Sequence, residues 1–146
     1  MSRSPLRPRE AYRAFVPVAT RWHDNDIYGH ANNVVYYAWF DTAVNSWLIE
    51  AGLLDLDSTD ADAPIGLVAE TGCRYAAAVR YPQELEVGLA VARLGNSSVT
   101  YHLGLFVAGE EQAAAEAHYT HVYVDRESHR PVALPAHWRA RFAELA

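Results

Sequence analysis

Residues 33–51, NVVYYAWFDTAVNSWLIEA, present more apolar surface than one neighbour can cover. Tyr36, Phe40, Ala43, Val44, Trp47 and Leu48 recur at the spacing of one helical face, and Val35 and Trp39 widen the stripe. Asn32 or Asn33 can cap the start with a side-chain oxygen, and Gly52 stands where a helix ends. The segment would run about 28 Å at the 1.5 Å rise of an α-helix. A helix of that length with two aromatic faces must be buried by more than one partner, and one sheet supplies only part of the cover.

The partners come from the rest of the chain. Ala14 to Trp22 alternates as a strand, with Ala14, Val16, Val18, Thr20 and Trp22 on one face, and Pro17 points to an edge position or a bulge. After the acidic loop LLDLDSTDADAP, four further stretches alternate: Ile65 to Arg80, Glu84 to Leu94, Ser98 to Val107 and Ala114 to Val124. The turns between them (YPQE, GNSS, AGEE) are too short for crossover helices, so the sheet is expected to be antiparallel. A short helix from Pro135 to Leu145 closes the chain. The order is that of an α+β fold, and 146 residues suit one domain spanning 1–146.

Composition removes several chemistries. All twelve Lys and Arg positions are arginine, which excludes Schiff-base catalysis by a lysine. Cys73 is the single cysteine, so no intrachain disulfide forms, and in an alternating strand it reads as a small core residue. A net charge of −6 argues against general nucleic-acid binding. The N-terminal Arg3, Arg7 and Arg9 are not followed by the apolar run of a secretory signal, and no stretch has the length of a membrane span. The expected compartment is the cytoplasm.

The stretch HDNDIYGHANN, His23 to Asn33, gathers carboxylates, imidazoles and side-chain amides around Gly29 just before the helix. A cap needs one or two acceptors, and this loop offers Asp24, Asp26, Asn32 and Asn33 together with His30. The first turn of a helix carries unpaired N–H groups at the positive end of its dipole, where an oxyanion can be held. A carboxylate opposite those amides makes an acyl-transfer centre: Asp26 attacks a carbonyl or activates a water that does. No acid stands ready for a poor leaving group. A thiolate, whose conjugate acid has a pKa of about 8.5, leaves without one, so thioesters suit the site better than amides. The calcium-loop pattern beginning at Asp24 meets Val35 where a bidentate Glu belongs and fails, and a metal held by His23, Asp24 and His30 is conceivable but has no zincin spacing behind it. His118 and His121, in an alternating strand, point to opposite faces. No metal and no cofactor is expected.

DNDIYGHANNVVYYAWFD resembles the D-x-D-x-x-G-H-x-x-N segment of the 4-hydroxybenzoyl-CoA thioesterase family, which includes the YbgC-type enzymes; RLGNSSVTY and HRPVALP resemble its later segments. The resemblance implies a hotdog fold, an antiparallel sheet wrapped around one long central helix. It implies homodimers or homotetramers with active sites at the subunit interface, and hydrolysis of an acyl-CoA to a carboxylic acid and CoA. Asp26 would take the role of the family's catalytic aspartate, the backbone amide near Asn33 would polarise the thioester carbonyl, and His30 and Asn32 would position the acyl group or water. Gly29 would let substrate approach the backbone. Asn96, Ser97 and Ser98 would lie near the nucleotide of CoA, with Arg93, Arg74 or Arg130 pairing with a phosphate. The histidine that follows the glycine favours aliphatic or broad acyl-CoA substrates over 4-hydroxybenzoyl-CoA.

Two other readings compete. Hotdog hydratases acting on enoyl thioesters also pair an Asp with a His, but their D-x-N-P-x-H segment has a proline and one more residue than DIYGH. A non-catalytic domain that binds acyl-CoA or acyl carrier protein would have no use for Asp26 opposite the helix amides.

Overall fold

The long apolar segment forms α1, Asn33–Glu50, in a computed structural model that describes residues 5–146. Asn32 caps it, its Oδ1 accepting from Val34 N–H at 3.0 Å. At the other end Gly52 adopts φ +78°, a left-handed conformation open to glycine. Its N–H donates to Ile49 O at 3.1 Å and Leu53 N–H donates to Leu48 O at 2.9 Å, the paired reverse bonds that close a helix. Tyr36, Trp39, Phe40, Ala43, Val44 and Leu48 are buried, as the spacing predicts.

The strands are β1 Ala14–Ala19, β2 Ile65–Tyr75, β3 Glu84–Leu94, β4 Ser98–Val107 and β5 Ala115–Val124. They form one five-stranded sheet in the order β1-β3-β4-β5-β2, antiparallel throughout. Pro17 sits on β1 at one edge, where its missing N–H costs no ladder bond. α1 lies on one face, over Leu85, Val87 and Leu89 of β3, Val99, Tyr101, Leu103 and Leu105 of β4, and Ala115, Ala117 and Tyr119 of β5. The second cover for α1 is the closing helix, α2 Ala136–Ala143: Phe142 meets Trp47 with ring centroids 5.8 Å apart. On the opposite face of the sheet the N-terminal segment lies flat. Tyr12 packs so closely on Gly88 and Gly104 that a Cβ at either would fall 2.7 Å from it. Arg7 pairs with Glu116 at 3.2 Å and Arg9 pairs with Glu86; Arg3 lies outside the described residues.

Two strands are shorter than alternation predicts. β1 stops at Ala19 because Thr20 Oγ1 donates to Gln83 O at 2.8 Å and Arg21 N–H is taken by Asp24 Oδ2 at 2.7 Å. Trp22 therefore leaves the inner face for a 3-10 turn, Trp22–Asp24, and stands 77% exposed. β2 stops at Tyr75, where Ala76 and Ala77 N–H both donate to Ala114 O, at 2.8 and 3.0 Å, and bend residues 76–80 out of the sheet. Smaller differences are that β5 begins at Ala115 and α2 spans Ala136–Ala143. Cys73 is half-buried, packed against the core. His121 is buried and His118 exposed, on opposite faces as expected. Among the described residues no helix is long and apolar enough to cross a membrane.

Candidate active site

The polar loop divides into residues that hold it together and residues it leaves available. Asp24 is 1% exposed and belongs to the first group: its carboxylate takes Arg21 N–H at 2.7 Å and the Arg21 guanidinium at 2.8 and 3.1 Å. Its carbonyl accepts from Asn32 N–H at 2.9 Å. Asn25 Oδ1 accepts from Tyr81 N–H at 3.1 Å, and Ala31 N–H donates to Val79 O at 2.8 Å. These bonds tie the loop to the segment after β2.

Asp26 belongs to the second group. Its backbone closes a tight turn with Gly29, at φ +82°, and His30: Asp26 N–H donates to His30 O at 2.9 Å and Gly29 N–H to Asp26 O at 3.2 Å. Tyr28 N–H donates to Asp26 Oδ1 at 2.8 Å, which fixes the carboxylate. Oδ2 has no hydrogen bond among the described residues and lies 3.9 Å from His30 Nδ1. The His30 ring stacks on Tyr28, with centroids 6.3 Å apart. On the facing helix, Asn33 N–H finds no acceptor among the described residues, while the next two amides are occupied: Val34 N–H by Asn32 Oδ1 and Val35 N–H by Asn32 O, both at 3.0 Å.

Asp26, His30 and Asn33 line one cavity of about 440 Å³. Its other walls are the rings of Tyr28, Tyr36 and Tyr75 and the bend at 76–78. Tyr75 Oη donates to Asn33 O at 3.0 Å, and its ring meets Tyr36 edge-on at 4.8 Å. Burial pushes the Tyr75 hydroxyl well above its usual range, helped by the neighbouring Cys73, so the phenol stays a donor. Burial likewise pushes the Cys73 thiol up, away from nucleophilic use. Among the described residues no group of three His, Cys, Asp or Glu side chains gathers as a metal ion would require. Chemically, one cavity is lined by a residue with an unbonded carboxylate oxygen, Asp26, and by a residue with an unbonded backbone N–H, Asn33, among the described residues, together with three tyrosines.

The loop thus brings together Asp26, Gly29, His30, Asn32 and Asn33. The residues expected near a nucleotide lie elsewhere in the same chain. Asn96, Ser97 and Ser98 form the β3–β4 tip, whose Gly95 and Asn96 carbonyls accept from the Arg139 guanidinium at 2.8 and 3.3 Å. That tip lies at the Ile65 end of the sheet, with Ser98 opposite Val122 and Ile65 opposite Val124, whereas Tyr75 pairs with Ala115 at the other end. At about 3.3 Å per residue, β3 separates the tip from the cavity by about 30 Å. Arg130 is in the turn after β5, at the tip's end of the sheet. Arg93 lines a polar depression on the sheet face away from α1, with Arg74, whose guanidinium donates to Glu116 at 2.8 Å. Sequence reasoning missed Tyr75 and the bend at 76–78 as walls of the cavity; β-alternation made them a plain strand, and no local signal says that this strand end abuts the helix start.

The family model of the thioesterase-like superfamily matches residues 20–142. Among solved structures, the PA5185 protein from Pseudomonas aeruginosa strain PAO1 is 55% identical, with TM-score 0.88 and 94% of each chain covered. The PA2801 protein from the same species is 28% identical over 88% of this chain and 97% of its own, with TM-score 0.80. Slr0204, a 1,4-dihydroxy-2-naphthoyl-CoA thioesterase from Synechocystis, shares the fold at 17% identity, with TM-score 0.80 over 90% of this chain and 96% of its own.

Proposed function

The chain belongs to the thioesterase-like superfamily and has the hotdog architecture, and from that premise we propose that it hydrolyses an acyl-CoA thioester to a carboxylic acid and CoA. The observation that carries this reading is that Asp26, whose Oδ2 has no hydrogen bond among the described residues, and Asn33, whose N–H has no acceptor among them, line one cavity at the positive end of α1. The thioester carbonyl oxygen sits at Asn33 N–H, which draws charge from the carbon as a tetrahedral oxyanion forms. Asp26 Oδ2 attacks that carbon, the C–S bond breaks, and CoA leaves as a thiolate that takes a proton from water. Water then hydrolyses the acyl–Asp26 anhydride, releasing the carboxylic acid and restoring the carboxylate, and the proton set free neutralises the hydroxide left when the thiolate was protonated. Tyr28 N–H holds the spectator Oδ1 throughout, so the reacting oxygen keeps its aim. His30 and Asn32 position water and the first turn, and Gly29 keeps the approach free of a side chain, with nothing within 4 Å of where its Cβ would be.

The reading includes a second copy of the chain. The outer edge of β2 is unpaired among the described residues, and β2 exposes Leu67 at 41% and Val68 at 53%. Pairing two β2 edges antiparallel carries the β3–β4 tip of one copy to the Tyr75 end of the other. That geometry would unite Asp26 with the Asn96–Ser98 tip, which one chain keeps apart, and would give the CoA nucleotide its binding turn.

Thiol release from a panel of short, long and aromatic acyl-CoAs tests the chemistry. Turnover by the wild type, with a loss of at least about a hundredfold in Asp26→Asn, is the expected result. Equal rates in the two proteins would move the chemistry to another group, and no release from any thioester would end the hydrolytic reading. A single turnover in oxygen-18 water should leave label in Asp26 if the anhydride forms. Activity that persists undiminished on dilution to a measured monomer would rule out the two-copy site.

A further inference from the structure

Tyr75 does more than wall the cavity. The peptide groups on either side of the Asn33 Cα fix where the Asn33 N–H points, and each makes identifiable bonds. The preceding peptide is held through Asn32 O, which accepts from Val35 N–H at 3.0 Å. The following one joins Asn33 O to Val34 N–H, and Val34 N–H donates to Asn32 Oδ1 at 3.0 Å. All of these bonds lie within the cap and first turn, the part of a helix that frays. The Tyr75 bond is different. Its Oη donates to Asn33 O at 3.0 Å from β2, 42 residues along the chain, and so ties the first turn to the sheet.

We propose that Tyr75 is a positioning residue: its phenol braces the Asn33 peptide against β2 and so holds the Asn33 N–H at the place where the thioester carbonyl must sit. This rests on Asn33 N–H being the carbonyl-binding group of the hydrolysis proposed above. A preorganised donor stabilises the transition state only if it need not reorganise as charge develops, and a fraying turn would make it do so. The brace has a built-in control. One turn further along α1, Tyr119 Oη of β5 donates to Tyr37 O at 3.1 Å, the same bond made away from the cavity. Both phenols hold the helix to the sheet, but only the Tyr75 bond falls on a peptide that adjoins the Asn33 N–H.

Tyr75→Phe keeps the aromatic wall and removes the brace, so the experiment compares it with Tyr119→Phe and the wild type. The readouts are kcat and KM on the best acyl-CoA of the panel, the ranking of the panel, and amide hydrogen exchange at Val34 and Val35. Tyr75→Phe should lose about tenfold in kcat, a fraction of the 10²–10³ that deleting a whole oxyanion donor removes. Its KM should stay within about twofold and its ranking unchanged, while exchange at Val34 and Val35, whose N–H groups are bonded in the cap, accelerates. Tyr119→Phe should keep kcat within about twofold and leave those amides alone. A kcat for Tyr75→Phe within twofold of wild type, or an equal fall in both variants, overturns the proposal, because a merely structural bond would act alike at both positions. If the wild type releases no thiol, hydrolysis is the failed premise and the exchange data alone judge the brace: faster exchange in Tyr75→Phe only upholds it, and equal exchange in all three proteins overturns it.

Discussion

The two ends of α1 are built to different ends. At the C-terminal end Gly52 reverses the chain, two reverse hydrogen bonds close the last turn, and Leu53 folds back to 8% exposure in the same core as Leu48. The N-terminal end is left open: Asn32, Asn33 and Val34 are exposed, and the Asn33 N–H has no acceptor among the described residues. One helix therefore closes one terminus for stability and leaves the other unclosed, as the proposed site requires. An end left open has to be steadied from outside, and here the Asp24 carbonyl and the Tyr75 phenol do so beside the helix's own Asn32 cap. The contrast teaches that a helix's ends can be judged separately, by asking where each orphan peptide group goes.

Substitutions at the two ends should therefore separate stability from turnover. The largest effect is expected at the closed end. Leu53→Ala removes a buried side chain from the C-terminal plug and should lower unfolding free energy by about 3 kcal/mol, as leucine truncations in cores do. Denaturant unfolding would measure that loss, and kcat of the remaining folded protein should match wild type. A kcat that fell with stability would break the contrast, since the closed end would then be coupled to the open one. A matched pair with a smaller effect sharpens it. Asn32→Ala loses a cap and Gly52→Ala forces alanine to a positive φ, each costing about 1 kcal/mol. Equal losses of stability should accompany unequal losses of activity: several-fold in kcat for Asn32→Ala, none for Gly52→Ala.

Most of the architecture could be read from the letters because its signals are local. The apolar stripe of α1, the Asn32 cap and Gly52 all lie within one stretch, and the bounds of β3 and β4 follow from turn residues on either side. Legibility failed where a distant partner decides the outcome. Alternation carries β2 on to Arg80, but a single carbonyl, Ala114 O, takes two successive amides and bends the chain at Ala76. Trp22 fits the β1 pattern, but Asp24 captures the Arg21 N–H and ends the strand first. The same division holds in the candidate site. Asp26, Gly29, His30 and Asn33 stand out as a polar cluster before an apolar helix, whereas Tyr75 looks like any strand aromatic until the fold brings it to Asn33 O. Arg93 and Asn96 to Ser98 could be picked by type, but their distance from Asp26 within one chain is a property of the sheet.

The smallest expected effect is in the pH dependence of stability, and it sets the sheet apart from both helix ends. His121, buried on the α1 side against Tyr101, has its pKa lowered by burial, with Asp41 opposing. His102, on the far face, has its pKa lowered by burial and by Arg7. Folded protein therefore binds fewer protons at these imidazoles than unfolded protein does. Their contribution is fully present above the unfolded histidine value of about 6.5 and is lost as pH falls through the folded values. Glu116 works in a lower window. Burial raises its pKa, but the Arg7 N–H and the Arg74 and Arg7 guanidiniums outweigh that and leave it lowered. Its contribution is present above the unfolded value of about 4.3 and is lost as pH falls further. Stability followed by denaturant unfolding should thus decline in two steps on acidification. His121→Leu should shrink the first step to the share of His102 and Glu116→Gln should flatten the second, and neither should change the ratio of kcat between Asn32→Ala and Gly52→Ala. Two undiminished steps in both variants would overturn this assignment, and the sheet could no longer be set apart from the helix ends as the seat of the acid sensitivity.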